Sequence, residues 1–431
     1  MLLRESAHPS PTVIPSLADQ YRQVRQLTHK LCEPLVTEDY VIQTMPDVSP
    51  TKWHLAHTSW FFETFILGTS YPGYQPFHPM YNYLFNSYYN AVGVRHCRPK
   101  RGQIARPSVA EVYRYREYVD EHMLDLLEGA KSEQLSESLH PLVELGLHHE
   151  MQHQELVVTD LKHVFACNPL HPVYRDRLPV DGGSAPPLEW IGFTEGIYPI
   201  GFDGGGFAFD NESPRHRAFL EAFELGSRLV TNGEYLAFVA DGGYEHPELW
   251  LSEGWATVHA NGWVAPFYWD QQDGAWWQMT LSGFRPVDES EPVCHVSYFE
   301  ADAYARWAGA RLPSEQEWEA ASVRQPIAGN FVEVGHYHPV PAGTLDSGEP
   351  LAQLFGDVWE WTLSSYAPYP GYRPAAGALG EYNGKFMCNQ YVLRGGSAAT
   401  PLAQMRHTYR NFFPADARWQ FTGIRLAREI R

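Results

Sequence analysis

One stretch constrains the fold of this chain more than any other: Gly146 to Leu161, reading GLHHEMQHQELVVTDL. After its opening glycine it contains neither Pro nor Gly, and its long unbranched residues favour a helix. On that helix Leu145, His149, Gln152, His153 and Leu156 share one face. His149 and His153 stand one turn apart, so both imidazoles can reach a single metal ion. A helical pair of this kind still needs at least one ligand from another segment. Taken alone, it fits a polar helix face as well as a metal.

Three further helices are expected upstream. Ser16 to Leu35 has Leu17, Tyr21, Val24, Leu27 and Leu31 at helical spacing. Ser49 and Pro50 read as the start of KWHLAHTSWFFETFIL, with Gly68 as its stop. Ser108 to Leu127 follows Pro107. On the second of these helices Trp53, His57, Trp60, Phe61 and Thr64 lie on one aromatic face. A neutral His in such a stripe requires a polar partner, either a neighbouring side chain or the metal held by His149 and His153. His54 lies about 60° round the helix and is the rival third ligand. Four helices, two of them supplying ligands, make a metal-binding bundle.

Between Thr69 and Pro107 lies a long aromatic segment containing YNYLFNSYYNAVGVRHCRPKRG. A connection of that length in a compact domain is usually functional. Tyr88 and Tyr89 are candidate catalytic phenols, and in an extended loop their side chains would point oppositely. Arg95, Arg98 and Arg101 could clamp a carboxylate.

The whole chain has 431 residues and a formal net charge of −19. The length implies two domains, 1–167 and 188–431, joined by a Pro- and Gly-rich linker over 168–187. The charge argues against nucleic acid and anionic membranes as partners. No run of apolar residues is long enough to span a bilayer. The first residues lack a signal-peptide core, so the cytoplasm is the expected location. Cys32, Cys97, Cys167, Cys294 and Cys388 are too scattered for a disulfide framework or a four-cysteine zinc site. Beyond the linker, helical periodicity fades. Short β-branched runs and turns dominate, with two short helices expected at Asn232 to Ala240 and Phe299 to Ala308.

The second half carries, in order, VTNGEYLAFVADGGY, PVCHVSYFEADAYARWAGARLPSEQEWEAAS, FGDVWEWT, VLRGGSAATPLAQMRHTYRNF and FTGIRLAR. Together these resemble the formylglycine-generating-enzyme (sulfatase-modifying-factor) domain with its C-type-lectin-like fold. Gln404, Met405 and Thr408 stand where that family's cysteine pair is expected, so formylglycine formation itself is not. The first half, with WHLAH and HHEMQH, resembles a DinB-like four-helix bundle. The resulting fold class is α+β, a DinB-like bundle followed by a lectin-like domain. Their fusion resembles the sulfoxide synthases of ergothioneine biosynthesis, which are iron(II) enzymes.

The resemblance implies Fe(2+) held by His57, His149 and His153, with positions left open for substrates. It implies hercynine and a thiol as substrates, with O2 as the oxidant. One thiol, one imidazole C–H and one O2 then give a C–S bond, a sulfoxide and one water. A Tyr phenol supplies a proton as O2 is reduced. Hercynine's quaternary ammonium calls for aromatic faces, and Trp359, Trp361, Tyr366, Tyr369, Phe412, Phe413 and Trp419 are candidates, most of them expected in the core. Gln152 and Asn411 fall at positions implied to meet hercynine. The branch of the family that uses γ-glutamylcysteine resembles Asn-Trp-Asp where this chain has Asn411-Phe412-Phe413. Its Asp helps to hold the donor's amino group. The ring at Phe413 and the Ser87–Asn90 tetrad (SYYN) resemble the branch that uses free cysteine. Other readings are a relative with histidine or a seleno-sugar as substrate, a zinc-dependent thiol transferase or hydrolase, and a lectin-like module with a structural metal.

Overall fold

A computed structural model describes residues 15–129, 139–180, 183–345, 349–374, 380 and 383–430. The first half is helical. Its helices are α1 (Leu17–Cys32), α2 (Thr51–Phe62), α3 (Gly68–Ser70), α4 (Tyr81–Phe85), α5 (Val109–Glu128) and α6 (Leu139–Ala166). Ser16 and Ser108 cap α1 and α5 through their hydroxyls, satisfying backbone N–H groups that the first turn leaves free. α1, α2, α5 and α6 pack together as the expected bundle. Two details differ from the sequence reading. Gly68 does not stop α2, because one π turn, Glu63–Leu67, carries the chain on into α3. Gly146 does not open the histidine helix but lies inside it. A Cβ there would come within 2.6 Å of the Phe62 ring, so glycine lets α2 and α6 cross closely at the level of the histidines.

α6 is buried on nearly every side, so its polar residues sort into three stripes rather than one face. His149 and His153 turn toward α2. Glu150 and Gln154 turn toward α1, where Gln154 donates to the Val24 carbonyl at 2.7 Å. His148, Gln152, Glu155 and Lys162 turn toward the second half. There the buried Glu155 carboxylate accepts from Trp359 Nε1 at 2.5 Å and Thr400 Oγ1 at 2.9 Å. Lys162 Nζ lies 2.5 Å from His295 Nε2. These buried polar contacts fix the register of the bundle on the second half.

The second half begins its regular structure at Trp190–Phe193 and closes with Ala427–Glu429, both antiparallel to Phe223–Gly226. A second sheet brings together Asn411–Phe413, Tyr391–Arg394, Trp359–Ser365 and Thr422–Gly423 in that order. Short helices lie at Asn232–Ala240, as expected, and Tyr298–Trp307, within a residue of the expected span, and two more, not expected, lie at Ser252–Asn261 and Glu315–Ser322. Trp318, Trp359 and Trp361 are fully buried in this domain's core. No helix among the described residues is long and apolar enough to cross a membrane.

Candidate active site

α2 and α6 deliver three imidazoles to one point. His57, His149 and His153 each offer a ring nitrogen, and these nitrogens all lie within 4.8 Å of one another. His57 Nδ1 sits 2.6 Å from the Phe85 carbonyl. A carbonyl only accepts, so Nδ1 carries the proton and Nε2 presents its lone pair. That Nε2 is 3.2 Å from His149 Nε2. Trp53 and Trp60 stack on the two faces of the His57 ring, at centroid distances of 4.6 and 5.3 Å. Burial lowers the pKa of His149 to about 3 and those of His57 and His153 well below the ordinary imidazole range; the neighbouring imidazoles add to the effect at His57 and His153. All three are therefore neutral imidazoles at pH 7. A set of three neutral nitrogens in a buried, aromatic cage suits a borderline divalent metal such as Fe(II) or Zn(II).

His54, the rival candidate, does not join the triad. Its Nδ1 lies 2.8 Å from His153 Nδ1, and its Nε2 lies 2.9 Å from Asp160 Oδ2. It stands behind a ligand rather than beside it.

His153 also forms part of the wall of a cavity of about 230 Å3 between the bundle and the second half. The bundle contributes Trp53, Tyr88, Arg98, Arg101, Gln152 and Asp160 to it. The second half contributes Phe209, Phe386, Tyr409, Asn411, Phe412 and Phe413. Several wall residues have a buried polar atom with no protein partner: Gln152 Oε1, Asp160 Oδ1, Asn211 Oδ1 and Gln420 Nε2. Such atoms are costly unless a ligand or water completes them. Arg101 is 4% exposed and spans the hydroxyls of Ser49 (2.9 Å) and Ser87 (3.2 Å). Its guanidinium lies 3.3 Å from the Trp53 ring centre. No carboxylate lies within ion-pair distance of it among the described residues; Asp160, farther off, offsets only part of the cost of burial. Burial, and then Arg98 beside it, push its pKa well below the ordinary guanidinium value. A buried cation in that position calls for an anionic ligand.

Not every residue expected at the site reaches the cavity. Tyr88 lines it, but Tyr89 is buried behind, its ring 5.8 Å from Trp60 and 5.2 Å from Phe65. The two rings do not point oppositely; they touch at 4.8 Å. The reason is local: Asn86 caps the turn by accepting from Tyr89 N–H at 3.2 Å and donating to its carbonyl at 3.0 Å, so the loop is bent rather than extended. Arg95 is outside the wall and donates to the Ser87 carbonyl at 2.8 Å, whereas Arg98 is in it. Tyr366 supports the wall from behind, stacked on Phe412 at 4.0 Å. Tyr369 is buried under Arg410, and Trp419 packs edge-on against Phe413. Gln152, Asn411, Phe412 and Phe413 all line the cavity. Sequence reasoning missed Tyr409, whose hydroxyl accepts from Gln152 at 2.9 Å and Gln404 at 3.3 Å. It also missed Asp160, although seven residues from His153 is a two-turn helical spacing that could have flagged it.

A helical bundle with three inward histidines that could meet at one metal ion, followed by a sulfatase-modifying-factor domain, is the two-domain class that the fold defines. Residues 20–157 match the DinB superfamily, and residues 196–430 match the sulfatase-modifying factor enzyme 1-like domain. A hercynine oxygenase from Mycobacterium tuberculosis is 32% identical over 409 residues, covering 89% of this chain and 92% of that one. One from Mycolicibacterium thermoresistibile is 30% identical, covering 97% and 96%. A formylglycine-generating enzyme from Streptomyces coelicolor is 30% identical over 235 residues, covering 45% of this chain and 73% of that one. The chain belongs to the hercynine oxygenase family, and it is an oxygenase.

Proposed function

We propose that this protein is an iron(II)- and O2-dependent sulfoxide synthase of ergothioneine biosynthesis, joining the sulfur of cysteine to the imidazole C2 of hercynine. The observation that carries this reading is the cavity between the two domains. One of the three histidines, His153, lines it, together with the buried guanidinium of Arg101 and a wall of aromatic rings. His57, His149 and His153 would hold the iron. When bound, the metal supplies a redox-active Lewis acid at which a thiolate, an imidazole and O2 meet. The balance is one thiol S–H, one imidazole C–H and one O2 giving the C–S bond, one S=O and one water. The two substrates supply all four electrons.

The protein's own groups bind and orient. Gln152 Oε1 accepts the N–H of the substrate imidazole. Asn411 spends its side-chain oxygen on Phe412 N–H at 2.9 Å, which leaves its NH2 for a carboxylate. Phe412, Phe413 and Phe386 give the trimethylammonium apolar and π surface. Arg101, with Arg98, holds the carboxylate of the sulfur donor. All five cysteines are free thiols, which fits a reducing cytoplasm.

Tyr88 is the proton donor in this reading, because it and not Tyr89 lines the cavity. A phenol is protonated at neutral pH. Tyr88→Phe is expected to cut sulfoxide formation about ten-fold or more, with metal content and hercynine affinity retained. Part of the flux should divert to oxidation of the thiol alone. Wild-type turnover in this variant, read by mass spectrometry of the products, would pass the role to Tyr409.

The test of the function is an aerobic assay with Fe(II), hercynine and a panel of donors. Cysteine should give the sulfoxide, and γ-glutamylcysteine should be about ten- to a hundred-fold poorer. The longer donor brings an ammonium that Phe413 cannot pair with, a defect of about 1–3 kcal/mol. Equal kcat/KM for the two donors would overturn the choice of cysteine. Turnover with zinc in place of iron would favour a thiol transferase.

A further inference from the structure

His54 and Asp160 take no part in the function as derived above, yet both are 3% exposed and sit against one metal-ligand candidate. We propose that they are positioning residues. Together they form a hydrogen-bonded chain that holds His153 as its Nδ1–H tautomer and so turns the Nε2 lone pair toward the metal. This rests on the three-histidine centre assigned above.

Asp160 Oδ2 accepts the backbone N–H of Ser49 at 2.8 Å and faces His54 Nε2 at 2.9 Å. A carboxylate oxygen only accepts, so His54 Nε2 carries a proton. The proposed chain has His54 as the neutral imidazole, whose other nitrogen, Nδ1, is the acceptor. It lies 2.8 Å from His153 Nδ1, a separation that requires one proton between them. That proton belongs to His153 Nδ1, and its Nε2 is left bare. His57 reaches the same tautomer by giving its Nδ1 proton to the Phe85 carbonyl. Two of the three ligands are thus set by an acceptor behind them. For His153 that acceptor passes on the charge of a buried carboxylate, which makes the ligand more basic. The chain also ties the start of α2 to α6 through Ser49. A purely structural bond would do no more than that, and the packing of Phe61 and Phe62 over Gly146 already joins these helices.

The experiment measures metal affinity, not turnover. Metal-free protein is titrated anaerobically with Fe(II), and separately with Zn(II), against a competing chelator. His54→Phe keeps the volume and removes the acceptor; it should bind metal about 10- to 100-fold more weakly. His54→Asn returns an amide oxygen near the place of Nδ1, and it should restore most of that loss. His149→Ala is the control for the centre itself. If it binds like wild type, the three-histidine assignment fails, whatever the His54 variants do. If it loses metal while His54→Phe binds like wild type, the positioning role is overturned. The same follows if His54→Asn binds as weakly as His54→Phe. Should His54→Phe not fold, histidine-labelled metal-free wild type decides by 15N spectroscopy. His153 is expected as the Nδ1–H tautomer, and an Nε2–H signal would overturn the proposal.

Discussion

Replacing His57, His149 or His153 by Ala is expected to empty the metal centre and abolish sulfoxide formation, each alone as completely as all three together. Three neutral nitrogens leave little affinity to spare, and two imidazoles from one helix cannot close a site without the third. All three rings are packed as well as placed: His57 lies between Trp53 and Trp60, and His149 lies 4.7 Å from Phe61 and 4.7 Å from His153. Each Ala variant should therefore lower the melting temperature of the metal-free protein, while the metal content of the folded fraction, measured by elemental analysis, falls to background. Full metal occupancy in His57→Ala together with loss in His54→Ala would invert the assignment, making His54 the third ligand.

The convergence of His57, His149 and His153 was legible because helix geometry projects i and i+4 to one side, and WHLAH repeats the same polar interruption in an apolar stripe. The resemblance and the helix faces agreed on His57 against His54. What the sequence could not carry was tertiary. The stripes of α6 looked like one face, since residues 148, 149, 152 and 153 are adjacent on any wheel. Only the partner elements separate His149 and His153 from His148 and Gln152. The loop at Tyr88 and Tyr89 failed for a different reason. An extended loop was assumed, but the Asn86 side chain bends it, and both rings end on the same side. Arg95, Arg98 and Arg101 were indistinguishable by composition. Burial singles out Arg101, and burial of a cation is not written in a local pattern. Tyr366, Tyr369 and Trp419 come from a stretch so rich in rings that most must be core. Phe412 and Phe413, on a short strand at the edge of the sheet, are the ones that reach the cavity.

The largest expected effect on stability lies on the side of α6 turned away from the metal. Glu150 is fully buried between two guanidinium groups: Arg25 Nη1 donates to it at 2.9 Å and Arg116 Nη2 at 2.7 Å. Thr28 donates to it as well, at 2.7 Å. Burial pushes the carboxyl up, but Arg116 and Arg25 overcome this and hold its pKa at about 2, against an ordinary 4.5. A shift of that size corresponds to about 3 kcal/mol favouring the folded state at neutral pH. The sign is that of a depressed carboxylate: the contribution is complete above about pH 4.5 and is lost as the pH falls toward 2. Glu150→Gln keeps the shape and removes the charge. Arg25 retains Asp120 at 2.7 Å, but Arg116, itself fully buried, is left with only hydroxyl, imidazole and carbonyl partners. Removing one member of such a cluster typically costs about 3–5 kcal/mol, because the remaining charge is buried uncompensated. The bundle should therefore unfold at markedly lower urea concentration at pH 7. The gap to wild type should narrow on acidification through the window between pH 4.5 and 2. Glu150 follows His149 directly, and against the lowering that burial causes its charge raises the His149 pKa, so metal affinity should fall modestly in the folded variant too, while excess metal should recover folded protein by mass action. A Glu150→Gln variant as stable as wild type at pH 7 would show that the two arginines are solvated or paired elsewhere, and that this triad does not hold α1, α5 and α6 together.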